Sequence, residues 1–264
     1  MLPSRRHVRG GVRMAIMLGS MLEALVRFFP LYLGSGGRVS GARRAAWVHE
    51  SFARLAQRLS LVPSVIAAAD GGGAGLFVSN HLSYLDIMVY AAARPFRFVA
   101  KSEVRQWPLV GTLASLGGTL YVERGRSLQV AQVTRQIEQS LREGVPVLLF
   151  PEGTSSDGSS VLPFRPPLFD PAIRAGACIT AAAIRYRADV AAEDAVTYWG
   201  DMVFLPHAFR TLCLEGLEAE ITFGSSCRFD DRKTAARVTW RQVRALREQG
   251  AAKEQPATLF EYTS

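Results

Sequence analysis

His81 and Asp86 stand five residues apart, just beyond an apolar run, Leu76-Phe77-Val78-Ser79. A histidine oriented by a carboxylate is the arrangement a general base needs near neutral pH. The carboxylate fixes the tautomer and stabilises the imidazolium, and the other ring nitrogen takes the proton. Ser83-x-x-Asp86 also reads as a helix capping box, which would occupy Asp86 with backbone amides in a first helical turn. That reading accounts for the aspartate and leaves the histidine unexplained. Neither Ser79 nor Ser83 lies in a G-x-S-x-G elbow, so a serine nucleophile is disfavoured.

A second apolar run, Val145 to Phe150, empties into Pro151-Glu152-Gly153-Thr154-Ser155-Ser156-Asp157-Gly158. Gly153 allows close backbone approach, and Glu152 can orient donors or receive a substrate hydroxyl; the bland alternative is a plain turn. A third run, Gly117-Gly118-Thr119-Leu120-Tyr121-Val122-Glu123, ends in Arg124, a bidentate donor suited to phosphate or carboxylate unless it merely pairs with Glu123. Lys101, after Phe96 to Ala100, adds a cation of the same kind. Strands that each end in a polar loop predict one shared site at the carboxyl edge of a sheet. His7, His49 and His207 have no acidic partner at a telling spacing and read as structural or solvated.

The elements that would position these residues alternate. Strands are predicted at 76–79, 96–100, 119–123, 145–150, 177–185 and 217–223, and helices at about 84–93, 108–116, 127–142, 167–175, 206–213 and 231–248. Gly144 falls where a helix C-cap glycine belongs. Such alternation predicts an α/β fold: a mixed, mainly parallel sheet flanked by helices. The glycines of Asp70-Gly71-Gly72-Gly73-Ala74-Gly75 read as a loop, because no G-x-G-x-x-G follows a strand there. The 264 residues are 48% hydrophobic and 20% charged, which excludes a disordered chain. Cys178, Cys213 and Cys227 are odd in number and lack C-x-x-C spacing. They argue against a disulfide framework or zinc site and for a reducing compartment.

The formal charge of +8 is not spread evenly. Residues 1–60 hold ten arginines and two acids, Glu23 and Glu50, while the rest of the chain balances to zero. The same segment is apolar from Met14 to Leu33, with Gly19, Ser20, Glu23 and Arg27 as a narrower polar stripe and Glu23–Arg27 as an i,i+4 pair. Its two charges weaken a spanning reading. A second helix is predicted from Gly41 to Leu59, with Val48, Phe52, Leu55, Leu59 and Val62 as its packing seam. Residues 1–62 are therefore read as a helical hairpin lying in a membrane interface with its arginines toward headgroups, and 63–264 as the catalytic domain. The alternatives are a two-helix flap over the core, or a cleaved leader from Arg5 to Val26 that lacks a clean cleavage site. A polyanionic partner of nucleic acid type fits less well, since a phosphodiester backbone offers no sink for so many aliphatic side chains.

Taken together, His81-x4-Asp86, the Gly118–Arg124 strand and Phe150-Pro151-Glu152-Gly153-Thr154 resemble the glycerophospholipid acyltransferase family in order and spacing. The resemblance lies in its lysophosphatidate acyltransferase-like branch, over roughly residues 70–230. Phe98-Val99-Ala100-Lys101-Ser102-Glu103-Val104 and Trp107-Pro108-Leu109 share it. The resemblance implies His81 and Asp86 as catalytic residues, and Asn80, Lys101, Arg124, Glu152, Gly153 and Thr154 as substrate-binding positions. It implies direct transfer from acyl-CoA or acyl carrier protein, as co-substrate and with no metal or resident cofactor, to a lysolipid hydroxyl. The acceptor implied is 1-acyl-glycerol-3-phosphate, at the cytoplasmic face of an inner membrane. Ser155 stands where that family often has arginine, and Ile179-Thr180-Ala181-Ala182-Ala183-Ile184 lacks its proline. Glu152 to Gly158, Val161-Leu162-Pro163-Phe164 and Trp199-Gly200-Asp201-Met202 look closer to lyso-ornithine lipid acyltransferases, which makes a zwitterionic lysolipid the rival acceptor. A non-catalytic lipid- or nucleic-acid-binding protein is the reading from a different class.

Overall fold

The computed structural model describes residues 5–67, 73–122, 127–188 and 193–252. Two helices open the chain, α1 (Arg5–Gly34) and α2 (Gly41–Leu59). There follow β1 (Ser64–Ala67), β2 (Leu76–Ser79), α3 (Leu85–Ala93), β3 (Arg97–Lys101), α4 (Val110–Leu116), β4 (Leu120–Val122), α5 (Ser127–Arg142) and β5 (Val147–Leu149). The chain ends through α6 (Asp170–Ala175), β6 (Ile179–Arg187), α7 (Phe204–Leu212), β7 (Glu218–Cys227) and α8 (Arg232–Ala252). The seven strands form one sheet in the order β1-β7-β6-β2-β5-β3-β4. Strands β2 to β6 run parallel; β7 pairs antiparallel with β6, and β1 lies parallel to β7 at the edge. The expected mixed, mainly parallel sheet is what forms. The edge strand β1 was missed because its four residues have neither alternation nor length to separate them from a loop.

Alternation along β2 divides the core. Leu76 and Val78 face one layer with Val133, Ile137, Leu141, Phe169, Ala172, Ala235 and Val243 from α5, α6, α8 and the turn before α6. Phe77 faces the other, with Leu85, Val89, Tyr90, Phe96 and Phe223. Each such side chain, fully buried, contributes about 1.5–3 kcal/mol. All four residues of β2 are buried, and polarity returns from its last residue, Ser79, onward through Asn80 and His81 as the strand leaves the sheet. Sequence and burial thus place the chemistry at the edge.

The helical hairpin forms as expected, with one revision to its charges. Glu23 does not bridge to Arg27. It pairs with Arg58 at 2.6 Å and Arg54 at 3.8 Å, while Arg27 and Arg54 reach Glu50. Helix α2 lies alongside α1, and partners across the hairpin replace the pair along one helix. Arg9 and Arg13 also turn inward: they donate to the carbonyls of Leu212, Cys213 and Leu214 at the end of α7, and Arg9 pairs with Glu215. Cations at a helix C-terminus satisfy carbonyls that have no intrahelical partner. Much of the excess charge therefore fastens the hairpin to itself and to the domain. The outward face of α1 is apolar instead, with Leu18, Leu22, Val26, Phe29 and Leu33 exposed at spacings of four, four, three and four. Among the described residues, α1 is the one helix long and apolar enough to cross a membrane, with a mean hydropathy of 1.6 over 18 residues.

Close approach of α1 to α7 depends on Gly10. A β carbon there would overlap Cys213 Sγ and meet the Phe209 ring at 3.2 Å, whereas Gly11 faces open space. Gly10→Leu is expected to destabilise the protein by about 1–3 kcal/mol in chemical denaturation. Gly11→Leu is expected to be neutral or stabilising, because leucine is the better helix former.

Candidate active site

The strand order makes β2 and β5 neighbours, so the turns that follow them meet. Tyr84 begins the first turn of α3, and Asp86 is fully buried within it. Asp86 Oδ2 receives His81 Nδ1 at 2.7 Å, the Leu82 amide at 2.7 Å and the Ser83 amide at 3.1 Å. Both readings of this aspartate therefore hold: it caps the turn with its amides and it binds the histidine. Ser83 does not complete a capping box, since its hydroxyl is buried without a hydrogen-bond partner. With Nδ1 committed to the carboxylate, Nε2 is the nitrogen left to take a proton. The His81 side chain keeps 21% of its surface exposed, so the ring is open to a substrate.

Further contacts hold the histidine. Phe150 stacks on its ring at 4.1 Å between centroids and 13° between planes. Glu152 Oε1 accepts the His81 amide at 3.2 Å, and the Ser156 amide donates to the His81 carbonyl at 2.9 Å. The loop after β5 thus grips both backbone groups of the residue that β2 delivers. Tyr186, on β6, donates its hydroxyl to Asp86 Oδ1 at 2.7 Å. Burial and the adjacent carboxylate push the Tyr186 phenol well above its ordinary range, so it stays a donor. Its amide in turn reaches Glu193, which Arg247 pairs at 2.8 Å.

Tyr186 was not legible beforehand: a tyrosine a hundred residues from its partner carries no local spacing. Only its register on β6, beside β2, brings it to Asp86. Tyr186→Phe is expected to leave Oδ1 buried without this donor and to cost about 1–3 kcal/mol. Thermal denaturation against the parent protein measures it.

The remaining expected positions divide. Asn80 is buried and spends its amide on Ile184, donating from Nδ2 to the carbonyl at 3.1 Å and accepting the amide on Oδ1 at 3.0 Å. It pins the end of β2 to β6. Gly153 turns the loop at a φ of +73°, and Arg165 packs its guanidinium 3.0 Å from where a β carbon would lie. That places a cation beside the loop in which Ser155 supplies none. Thr154 is exposed at the rim, and Lys101 is exposed at the end of β3, one strand beyond β5. Arg124 lies outside the described residues; β4, which leads toward it, pairs with β3 at the same edge. His207 is buried with Nδ1 3.1 Å from the Tyr84 hydroxyl, and burial lowers its pKa. Among the described residues no cluster of three or more His, Cys, Asp or Glu is placed to hold a metal ion.

Glu152 is 3% exposed, and its Oε2 has no hydrogen-bond partner. Burial, reinforced weakly by Asp86, pushes its carboxyl up to about 8, against the pull of the His81 and Leu162 amides and of Arg247. The upward shift favours the protonated, neutral carboxyl at pH 7. A folded pKa above the unfolded one means the native state holds the proton more tightly. The stability this contributes is complete below about pH 4.5 and drains away as pH rises toward 8. Glu152→Gln mimics the neutral form and escapes that loss. Its stability relative to the parent is expected to rise between pH 5 and 8, read as a growing difference in Tm; a difference that does not change with pH would count against a neutral Glu152.

Comparison with known proteins fits this geometry. A family profile described as Acyltransferase matches residues 49–185. The chain is 38% identical over 187 residues to the lyso-ornithine lipid O-acyltransferase of Brucella abortus, an alignment covering 65% of this chain and 70% of that one. It is 32% identical over 148 residues to the 1-acyl-sn-glycerol-3-phosphate acyltransferase of Neisseria gonorrhoeae, covering 56% and 58%. In fold it is similar to the crystal structure of the 1-acyl-sn-glycerophosphate acyltransferase PlsC of Thermotoga maritima. The TM-score is 0.63 at 17% identity, over 94% of this chain and all of that one.

Proposed function

The chain belongs to the acyltransferase family, and from that premise we propose that it moves a fatty acyl group from an acyl thioester to the free hydroxyl of a lysolipid, with His81 as general base. The observation that carries this is the 2.7 Å contact of His81 Nδ1 with a fully buried Asp86, which leaves Nε2 uncommitted on a side chain that is 21% exposed. Nε2 takes the hydroxyl proton as the oxygen attacks the thioester carbonyl. The tetrahedral intermediate collapses, the carbon–sulfur bond breaks, and the departing sulfur takes the proton from the imidazolium. Base and acceptor suffice, so no acyl-enzyme is needed. Asp86 offsets the imidazolium charge during the step.

Acceptor and donor belong to the same proposal. Both candidate acceptors carry an anionic group near the headgroup, phosphate in one and carboxylate in the other. Arg165 beside Gly153 and the exposed Lys101 suit either. 1-Acyl-glycerol-3-phosphate is one reading. A lyso-ornithine lipid is the second, favoured by Ser155 in place of a further cation and by the 38% identity to enzymes named for that acceptor. The proposed donor is acyl-CoA or acyl carrier protein and the proposed location is the cytoplasmic face of a membrane, a reading supported by the exposed apolar face of α1. Acyl transfer by the purified protein should be assayed against a panel of lysolipids with each donor, and the products identified by mass spectrometry. Product from one acceptor class decides between the two readings. No acylated product from any of them would overturn the proposal.

A further inference from the structure

The segment from Trp199 to Leu205, which runs into the first turn of α7, exposes large apolar side chains on the catalytic domain. Trp199 is 44% exposed, Val203 68% and Leu205 70%, and Pro206 beside them is exposed too. Asp201 is the one charged residue among them. Large apolar side chains crowded on a surface mark a place where something apolar binds.

Its position relative to His81 is fixed from beneath. The Tyr198 amide donates to the Leu82 carbonyl at 2.8 Å, one residue after the base. The Tyr198 and Phe204 rings pack on Tyr84 at 5.5 and 4.9 Å, and Trp107 packs on Phe204 at 4.6 Å. An aromatic wall thus joins the turn that carries His81 to the segment that exposes Trp199, Val203 and Leu205. The mutual packing of these half-buried rings gives the segment a fixed place, with its apolar side chains exposed.

The segment also continues the surface of the helical hairpin. Leu205, Phe209 and Leu212 share one face of α7 by helical spacing. Helix α1 covers the Phe209 end, with Gly10 against Phe209 and His7 stacked on its ring at 6.3 Å, and leaves Leu205 bare. At the same end of α1, Val8 and Val12 are 51% and 55% exposed. The exposed Val8 and Val12 of α1 and the bare Leu205 of α7 thus belong to the two helices that meet at the Gly10–Phe209 contact.

We propose that Trp199, Val203 and Leu205 are a lipid-contacting threshold, seated in the bilayer surface beside the catalytic turn, over which the lysolipid passes to His81. The proposal rests on the function argued above, because a lysolipid acceptor is itself held in a bilayer. The composition suits that occupant. Tryptophan favours the membrane interface, and valine and leucine reach into the acyl region just below it. Helix α1 keeps the protein on the membrane; the threshold delivers the substrate.

The test separates delivery from chemistry. Val203→Asn with Leu205→Gln is assayed on lysolipid presented in phospholipid vesicles, and on a short-chain lysolipid dissolved below its micelle concentration. The expected result is a loss of about tenfold or more in kcat/KM on vesicles, with the soluble acceptor within about twofold. Equal losses on both, or none on vesicles, would overturn the proposal. A second measurement does not depend on turnover. Vesicles of lipids brominated in their acyl chains should quench Trp199 fluorescence, and Trp199→Phe should remove that quenched component. If Trp199→Phe changes nothing, or if Trp199 is already shielded without vesicles in a protein that elutes as a dimer, the surface belongs to something other than lipid. Quenching of Trp199 in a protein that acylates no lysolipid would uphold the lipid contact while removing the function it was argued to serve.

Discussion

Replacing His81 by alanine is expected to lower acyl transfer by about 10²–10⁴-fold in a protein that remains folded. The fold survives because the structural contacts of residue 81 are made by its backbone. Its amide donates to Glu152 and its carbonyl accepts from Ser156, whatever the side chain. Asp86 keeps the Leu82 and Ser83 amides and the Tyr186 hydroxyl. What is lost is the nitrogen proposed to take the proton and the ring stacked on Phe150. An alcohol is a poor nucleophile unless its proton leaves as the new bond forms. The measurement is kcat/KM on the preferred lysolipid, beside a melting curve and circular dichroism of the same preparation. Near-normal transfer by folded His81→Ala would end the general-base assignment. The proposed direct transfer requires that the parent protein incubated with donor alone gain no acyl mass by intact-protein mass spectrometry.

How much of this was legible depends on whether the signal was local. The β2 strand and its turn were readable because an all-buried strand must end in polar residues at a sheet edge, and because His81 and Asp86 are close in sequence. Helix α2 was readable from its seam, which packs Val48 and Phe52 toward the core. The meeting of Glu152 with His81 followed only once β5 lay beside β2, a pairing across some seventy residues. Tyr186 and Arg247 were illegible for the same reason, as their partners are set by sheet order and by the packing of α8. Charge misled most. Ten arginines in the opening segment suggested headgroups, yet Arg9, Arg13, Arg27, Arg54 and Arg58 find their partners inside the protein. Composition counts charges; only the docking of α2 and α7 on α1 shows where they go. Asn80 shows the converse, a polar residue in a catalytic motif whose whole amide serves the backbone of Ile184.

Asp86 offers the sharpest separation of orientation from charge. Its four donors are arranged so that one oxygen, Oδ2, takes His81 and two amides, and the other takes only the Tyr186 hydroxyl. In Asp86→Asn the amide nitrogen cannot face three donors, so the asparagine oxygen must take their place. The nitrogen then faces Tyr186, whose hydroxyl can turn and accept. The packing is preserved and His81 Nδ1–H keeps an acceptor, so the tautomer is preserved too. Only the negative charge opposite the imidazolium disappears. Hydrogen bonds to charged groups are worth about 1.5–3 kcal/mol against about 1 for neutral ones, and each 1.36 kcal/mol is a decade in rate. The difference of about 0.5–2 kcal/mol makes the expected loss about 2- to 30-fold, smaller than for His81→Ala. Asp86→Ala removes the acceptor altogether. It strands buried donors at about 1–3 kcal/mol each and should approach the His81→Ala rate with a clearly lower Tm. In the His81→Ala background, Asp86→Asn should cost nothing further, because the charge it removes acts only through the imidazole. Parent-like turnover in Asp86→Asn would reduce Asp86 to a helix cap, and a full additional loss in the double variant would give it a role in the reaction independent of His81.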